Sequence, residues 1–541
     1  MKLFLFSGII ACVTMLTSCI KEQFDPDSLS KSFVDSSAYA VPIGYVNTSL
    51  LDIFSPQIQS GLLVEDADGL LHFRFNQVPF SVLVSDIIQF PVFDTTYAII
   101  NNTGLPIDLN APGTQVQLNQ TFYLDFAYSQ GQNGEEIDSI WLNNMDMQID
   151  AAATGILNAQ LQTIFPGILY NSLAYQKNVI ISSSNNYSDL MAYTVHLENQ
   201  GPKKNQLRVD FKLELGQTNR VIAPGEKIMD LYLCFSAIDF ESVFGYIGKI
   251  NLAPVPVNDN NVSLLNSKVS GYFNFDNGSI ELHSRNSFGL PIAYELTDYT
   301  FETYEILTNN LVYQSSGTPA GNAEIPFPSL PQFGENIEGI SYLNTGPLQL
   351  AFQDYYSVIS GNLNGYINPS GKVDYNYVLK NSTLDITSGF SVTFAGNTDN
   401  FHLADTIPFV LSGFFSNTYA DISKLTFIIN FTNALPMNSK TQLYFCNAAG
   451  IRLDSMFINP QTVLGSDQMD GKGKVSPEPN APVKVNIEGN RLADIASTAY
   501  LLMISDINTI GVEQSPKLSW KFFSDYYFYV EFGLAATLKP E

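Results

Sequence analysis

Leu207-Arg208-Val209-Asp210-Phe211-Lys212-Leu213-Glu214-Leu215 alternates apolar and charged residues without a slip. A period of two puts every apolar side chain on one face of a strand and every charge on the other, whereas helical spacing would mix them. The segment reads as an antiparallel strand buried on one face and wet on the other. Similar alternation runs through Leu71-His72-Phe73-Arg74-Phe75, Phe122-Tyr123-Leu124-Asp125-Phe126, residues 425–431 and Val483-Lys484-Val485-Asn486-Ile487. Turn chemistry falls between such runs. Asp276-Asn277-Gly278 separates two apolar segments, and Asn-Gly supplies the positive φ values of a tight hairpin. Asp68-Gly69, Asn368-Pro369-Ser370-Gly371 and Asn447-Ala448-Ala449-Gly450 read as further hairpin loops.

Helices are expected to be few and short. Asn47-Thr48-Ser49 can cap residues 50–54, residues 239–246 allow a turn or two, and residues 491–499 have helical spacing. None is long enough for a bundle or a crossover layer, so the fold expected is all-β, built of tandem antiparallel β-sandwich modules. A short motif recurs: Asn102-Thr103-Gly104-Leu105-Pro106-Ile107, Asn286-Ser287-Phe288-Gly289-Leu290-Pro291-Ile292 and Asn433-Ala434-Leu435-Pro436-Met437. Its physical sense is a tight strand connection, in which Asn caps the turn, Leu plugs the core and Pro stops the ladder. The recurrence points to related modules. It also resembles a connection in the late-embryogenesis-type sandwich, from which no site is carried over.

The expected divisions are residues 1–18 as a leader, 19–45 as a flexible tether, 46–252 as an N-terminal β-sandwich region, 253–400 as a middle module and 401–541 as a C-terminal module. Ala253-Pro254-Val255-Pro256-Val257-Asn258-Asp259-Asn260-Asn261 reads as a linker, because alternating Pro stiffens a chain and the Asn/Asp run has nothing to bury.

At the amino end, Met1-Lys2 precedes an apolar run to Leu16, shorter than the ~20 residues that span a bilayer. Leu16-Thr17-Ser18-Cys19 then resembles the lipobox of bacterial lipoproteins, and with the overall texture of the chain it resembles the uncharacterised outer-membrane and surface lipoproteins of the Bacteroidota. That resemblance implies cleavage before Cys19 and lipid attachment at Cys19, with two or three acyl chains holding the protein on a membrane. A plain secretory peptide cut at the same place is the alternative. Five tripeptides, beginning at Asp27, Asp94, Asp138, Asp405 and Asp454, resemble the O-glycosylation acceptor of exported Bacteroidota proteins.

The 541 residues carry a formal charge of −26, which excludes a nucleic-acid surface, since phosphate binding needs clustered Lys and Arg. Charged residues make up only 14%, so Ser, Thr, Asn, Gln and Tyr must form much of the surface. Cys234 and Cys446 each sit in a strand-like run, as isolated thiols or as a bridge. No nucleophile elbow, zinc-protease motif, phosphate loop or Cys-x-x-Cys pair is present. His72, His196, His283 and His402 are far apart, so no catalytic residue, metal site or cofactor is assigned. A glycosidase needs only two carboxylates brought together by the fold, which sequence cannot choose. Aromatic platforms for sugar would have to come from Trp141, Trp520 or the 28 tyrosines.

The sequence thus leads to a lipid-anchored protein of the outer membrane, on its periplasmic face or the cell surface, without enzymatic activity. A structural or protein-interaction role is expected, with a membrane-protein partner. Glycan or lipid binding in aid of a transport partner is the alternative, and a glycoside hydrolase the third.

Overall fold

The alternation seen in the sequence becomes burial in three dimensions. In the strand Gln206–Thr218, Leu207, Val209, Phe211, Leu213 and Leu215 are all buried, while Arg208 pairs with Asp210 at 3.1 Å and Lys212 with Glu214 at 3.0 Å on the opposite face. Each buried side chain contributes about 1.5–3 kcal/mol by leaving water, and the exposed ion pairs contribute little. The computed structural model describes residues 39–538 apart from 111–114, 130–131, 154, 182–183, 188–189, 263–267, 318–320, 353–354, 373–374, 410 and 412–421. The leader, Cys19 and the start of the tether lie outside the described residues.

The fold is all-β, with antiparallel strands throughout its sheets. Two units divide the chain, one of residues 1–54, 266–270 and 397–541, the other of residues 55–265 and 271–396.

In the first unit, Tyr39–Ser49, Tyr527–Leu538 and Ile422–Asn433 lie side by side, with Val483–Glu488 beyond. A second set places Tyr500–Thr509 between Ala395–Pro408 and Met437–Cys446. Phe427 from the first set meets Phe445 from the second at 5.6 Å, across the core. Residues 39–45, assigned from composition to the tether, are paired in this ladder, because Tyr527–Leu538 offers them an apolar partner. Ser49 then caps Leu50–Ile53 through a capping box with Asp52, the short helix expected there.

In the second unit, one sheet runs Phe93–Ile100, Lys227–Tyr246, Glu136–Ala153, Thr194–His196, Ile156–Tyr170, Gln206–Thr218, Val116–Asp125. Its two ends meet without a ladder. Tyr97 donates its hydroxyl to the Tyr123 carbonyl at 2.6 Å, Gln120 donates to the Ile100 carbonyl at 2.7 Å, and the Tyr97 and Phe122 rings stack at 4.4 Å. The closed ring of strands holds Phe93, Phe126, Phe165 and Phe235 in its interior. Two further sheets of this unit face each other. One contains Leu71–Leu83, Thr383–Thr393, Val269–Asn286 and Ile337–Phe352, and the other Val255–Val262, Tyr355–Ile367, Ile292–Glu305 and Leu311–Gly317. Phe301 meets Phe390 between them at 6.4 Å.

The recurring Asn motif forms strand-to-strand arches. Asn286 accepts from the Phe288 N–H at 2.9 Å and donates to the Pro326 carbonyl at 3.0 Å. Asn433 accepts from the Leu435 N–H at 3.0 Å and donates to the Met437 carbonyl at 2.7 Å. In the first copy the capping residue is Asn101, one position earlier than expected. Asn101 is buried, accepts from the Thr103 N–H and donates to the Leu105 carbonyl, whereas Asn102 is exposed. Leu290 and Leu435 plug the core as expected, but Leu105 is exposed.

Four local expectations are corrected. Asn368-Pro369-Ser370-Gly371 does turn the chain, the Gly371 N–H donating to the Asn368 carbonyl at 2.9 Å, but it makes no hairpin, because Tyr355–Ile367 and Asn376–Leu379 pair with other strands. Asp276-Asn277-Gly278 forms no hairpin: Val269–Asn286 is one strand with a bulge there, because ladders along both its sides override the local turn preference. Residues 239–246 are strand, paired with Glu136–Ala153 on one side and Asn376–Leu379 on the other. The Pro-containing linker includes the strand Val255–Val262, where Pro256 is tolerated on a sheet edge.

A candidate aromatic binding face

On the closed sheet, cross-strand partners project to the same face, so register places the side chains. Trp141 lies opposite Thr194 on one side and Ser242 on the other, and Ser242 lies opposite Leu379. The neighbouring row is His196, Ser139, Phe244 and Tyr377. Just beyond the second row the register shifts at Ile137/Ser139, which makes Asp138 the extra residue of a bulge. Ile137, Ile140, Leu142, Val195 and Val243 point the other way into the core. The outer face therefore carries aromatic rings where the alternation calls for polar residues.

Two loops extend it. Phe333, just after the 3-10 turn Leu330–Gln332, stacks on Phe244 at 5.7 Å and 17°, and Tyr375 stacks on it at 6.4 Å and 28°. Trp141 packs tilted against Phe244 at 5.4 Å and 51°. Trp141, Phe333 and Tyr375 remain 45%, 42% and 48% exposed, while Tyr377 beneath them is fully buried. Tyr377 is fixed through its backbone: its N–H donates to the Gly289 carbonyl at 3.0 Å and its carbonyl accepts from the Gly289 N–H at 3.1 Å. A Cβ at residue 289 would lie 2.1 Å from the Tyr377 ring, so glycine there lets the ring lie flat against the backbone.

Polar groups line one edge. Burial, with the Asp138 carboxylate nearby, raises the pKa of the Tyr375 hydroxyl. Asn199 donates to the Ile137 carbonyl at 2.7 Å and reaches Asp138 at 3.4 Å. His196 is exposed on the same face. Ser242 is wholly buried in the middle of the face, with its hydroxyl unpartnered. The outer face thus combines a row of part-exposed rings with a few polar groups beside it.

A separate cleft of about 340 Å³ is lined by Asp125, Glu135, Glu136, Lys203, Lys204 and Asn205, among others. Its carboxylates serve the loops around it. Glu135 accepts from the N–H and hydroxyl of Ser129, at 2.9 and 2.5 Å. Glu136 binds Lys372 at 2.5 Å, with Lys204 at 3.8 Å, and Lys372 holds its pKa below the usual carboxylate range. A general acid for glycoside cleavage needs the opposite shift.

The remaining sequence candidates fall elsewhere. His72 sits beside Asp66 at 3.3 Å, His283 beside Glu281 at 3.2 Å and His402 beside Asp506 at 2.7 Å. Among the described residues no group of three or more His, Cys, Asp or Glu could hold a metal ion. Cys234 and Cys446 are free thiols in different units. Trp520 is buried and donates its indole N–H to the Ile510 carbonyl at 2.8 Å. Of the acceptor-like tripeptides, Ser139 is almost fully buried and Thr406 is exposed.

No protein-family model and no curated protein matches the chain. Among solved structures it is similar to a protein of Parabacteroides distasonis described as secreted, at 11% identity and a TM-score of 0.18, covering 66% of this chain and 99% of that one. It is also similar to the VP2 subviral particle of infectious bursal disease virus (9% identity, TM-score 0.12, 91% and 86%) and to Penaeus vannamei nodavirus (9%, 0.15, 68% and 93%). Likeness at these scores carries no functional argument, and the case for function rests on the chain's own residues.

Proposed function

We propose that this is a lipid-anchored protein of the outer membrane or cell surface that acts by binding, and that the aromatic face around Phe244 is its binding surface. Anchoring is supported by the lipobox-like Leu16-Thr17-Ser18-Cys19 at the end of an apolar leader. The observation that carries the binding role is the stacked, part-exposed row Trp141, Phe244, Phe333 and Tyr375 on an outer sheet face. Leaving these rings nearly half exposed forfeits roughly half of the ~1.5–3 kcal/mol that full burial of each would give, a cost that a ligand removes.

The test is hydrogen exchange on the detergent-extracted, full-length protein, alone and with solubilised envelopes of its source organism. Protection is expected in residues 136–146 and 375–379. Protection elsewhere with none at these strands would refute the binding face. For the anchor, Cys19→Ala should move the protein from the membrane to the soluble fraction; continued membrane retention would refute it.

A further inference from the structure

We infer that the occupant of the aromatic face is a neutral oligosaccharide; this rests on the binding reading above and names its ligand class. Four features of the face carry it.

The first is chemistry. An aromatic ring presents a negative face, which attracts the weakly positive C–H groups on the flat side of a pyranose. The groups beside the rings are hydroxyl-binding: Asp138 supplies acceptors, Asn199 an amide, His196 an imidazole and Tyr375 a phenol. Asp138 is placed among them by the bulge, is exposed, and has lone pairs beyond the one that Asn199 reaches.

The second is size. With aromatic side chains offering ~150–250 Å² each, the exposures of 45%, 42% and 48% leave roughly 300 Å² of ring surface. A stable protein partner covers about 800 Å² on each side. Two or three sugar rings match the smaller figure.

The third is charge. Asp138 borders the face, Glu335 approaches Tyr377, and the whole chain carries −26. Anionic polymers are repelled and neutral sugars are not.

The fourth is rigidity. Tyr377, pinned to Gly289, backs both Phe333 at 5.0 Å and Phe244 at 6.4 Å, so the rings are held in place before a ligand arrives.

The experiment uses acrylamide quenching of tryptophan in the full-length protein, where exposed Trp141 is accessible and buried Trp520 is not. The probe is the polysaccharide fraction of the source organism's envelope, freed of protein by a protease that is then heat-inactivated. This fraction should shield Trp141, and periodate oxidation, which cleaves sugar diols, should abolish the shielding. Phe333→Ala should weaken binding about tenfold or more, whereas Tyr342→Ala, at an exposed aromatic outside the face, should leave it unchanged. Shielding by untreated envelopes that is lost on protease treatment and survives periodate would overturn the sugar assignment and leave the binding face standing. No shielding by either preparation would overturn both.

Discussion

Asn433→Ala is the substitution that most sharply separates a structural arch from a decorative one. The side chain is 1% exposed, and it satisfies the Leu435 N–H at 3.0 Å and the Met437 carbonyl at 2.7 Å. Alanine strands both backbone groups beside residues that are themselves only 5% exposed. Each stranded group costs ~1–3 kcal/mol, so a loss of about 2–6 kcal/mol is expected. Asn433→Asp divides the effect, because a carboxylate can still accept from Leu435 and cannot donate to Met437. Its protonated form can do both, so folding raises the pKa of the new carboxyl above its unfolded value near ~4. The stability it contributes is then fully present below that unfolded value and lost as pH rises through the folded one. Asn433→Asp should therefore be least damaging at acid pH. The assay is urea unfolding followed by Trp520, buried in the same unit, in a Trp141→Phe background that leaves a single reporter. Exposed Asn459→Ala serves as the control, expected within ~0.5 kcal/mol of the parent. A loss below that control range for Asn433→Ala, or an Asp variant indifferent to pH, would refute the arch as a structural element.

Other substitutions test the aromatic face and its surroundings. Ser242→Ala removes a buried hydroxyl that lacks a partner and should stabilise the second unit by up to ~1 kcal/mol in urea unfolding read through Trp141 in a Trp520→Phe background; a loss above that amount would mean the hydroxyl is bonded. Gly289→Ala drives a methyl into the Tyr377 ring, so it should cost about 1–3 kcal/mol and loosen Phe333, seen as weaker polysaccharide binding; an unchanged affinity would deny that Tyr377 supports the site. Lys372→Ala frees Glu136, whose depressed pKa contributes stability present above the unfolded value and lost as pH falls through the folded one. Because the pair is largely solvated, the difference should stay below ~1 kcal/mol at neutral pH and vanish under acid, and carboxyl NMR should show Glu136 titrating higher in the variant.

What could be read from the sequence was what short stretches decide for themselves. The alternation of residues 207–215 fixed a strand and its buried face, and Ser49 with Asp52 fixed a helix start through contacts three residues apart. Asp276-Asn277-Gly278 failed as a hairpin because pairing on both sides of Val269–Asn286 outweighs a turn preference of two residues. The repeat was visible, yet Asn101 and Asn102 are chemically identical, and only burial behind the arch distinguishes them. For the binding face the sequence offered one signal, Trp141 standing where alternation points outward. Its companions Phe244, Phe333 and Tyr375 come from strands and loops about one hundred to more than two hundred residues away. Proximity of that kind is a property of strand order, which no local pattern encodes.

The proposed anchor would decide where the proposed binding face can act, and the mass of the native amino terminus tests it most directly. Protein extracted by detergent from envelopes of the source organism, digested and analysed by mass spectrometry, should yield a first peptide beginning at Cys19 and carrying diacylglycerol with or without a third acyl chain. An unmodified Cys19, or a peptide that still begins at Met1, would contradict the account.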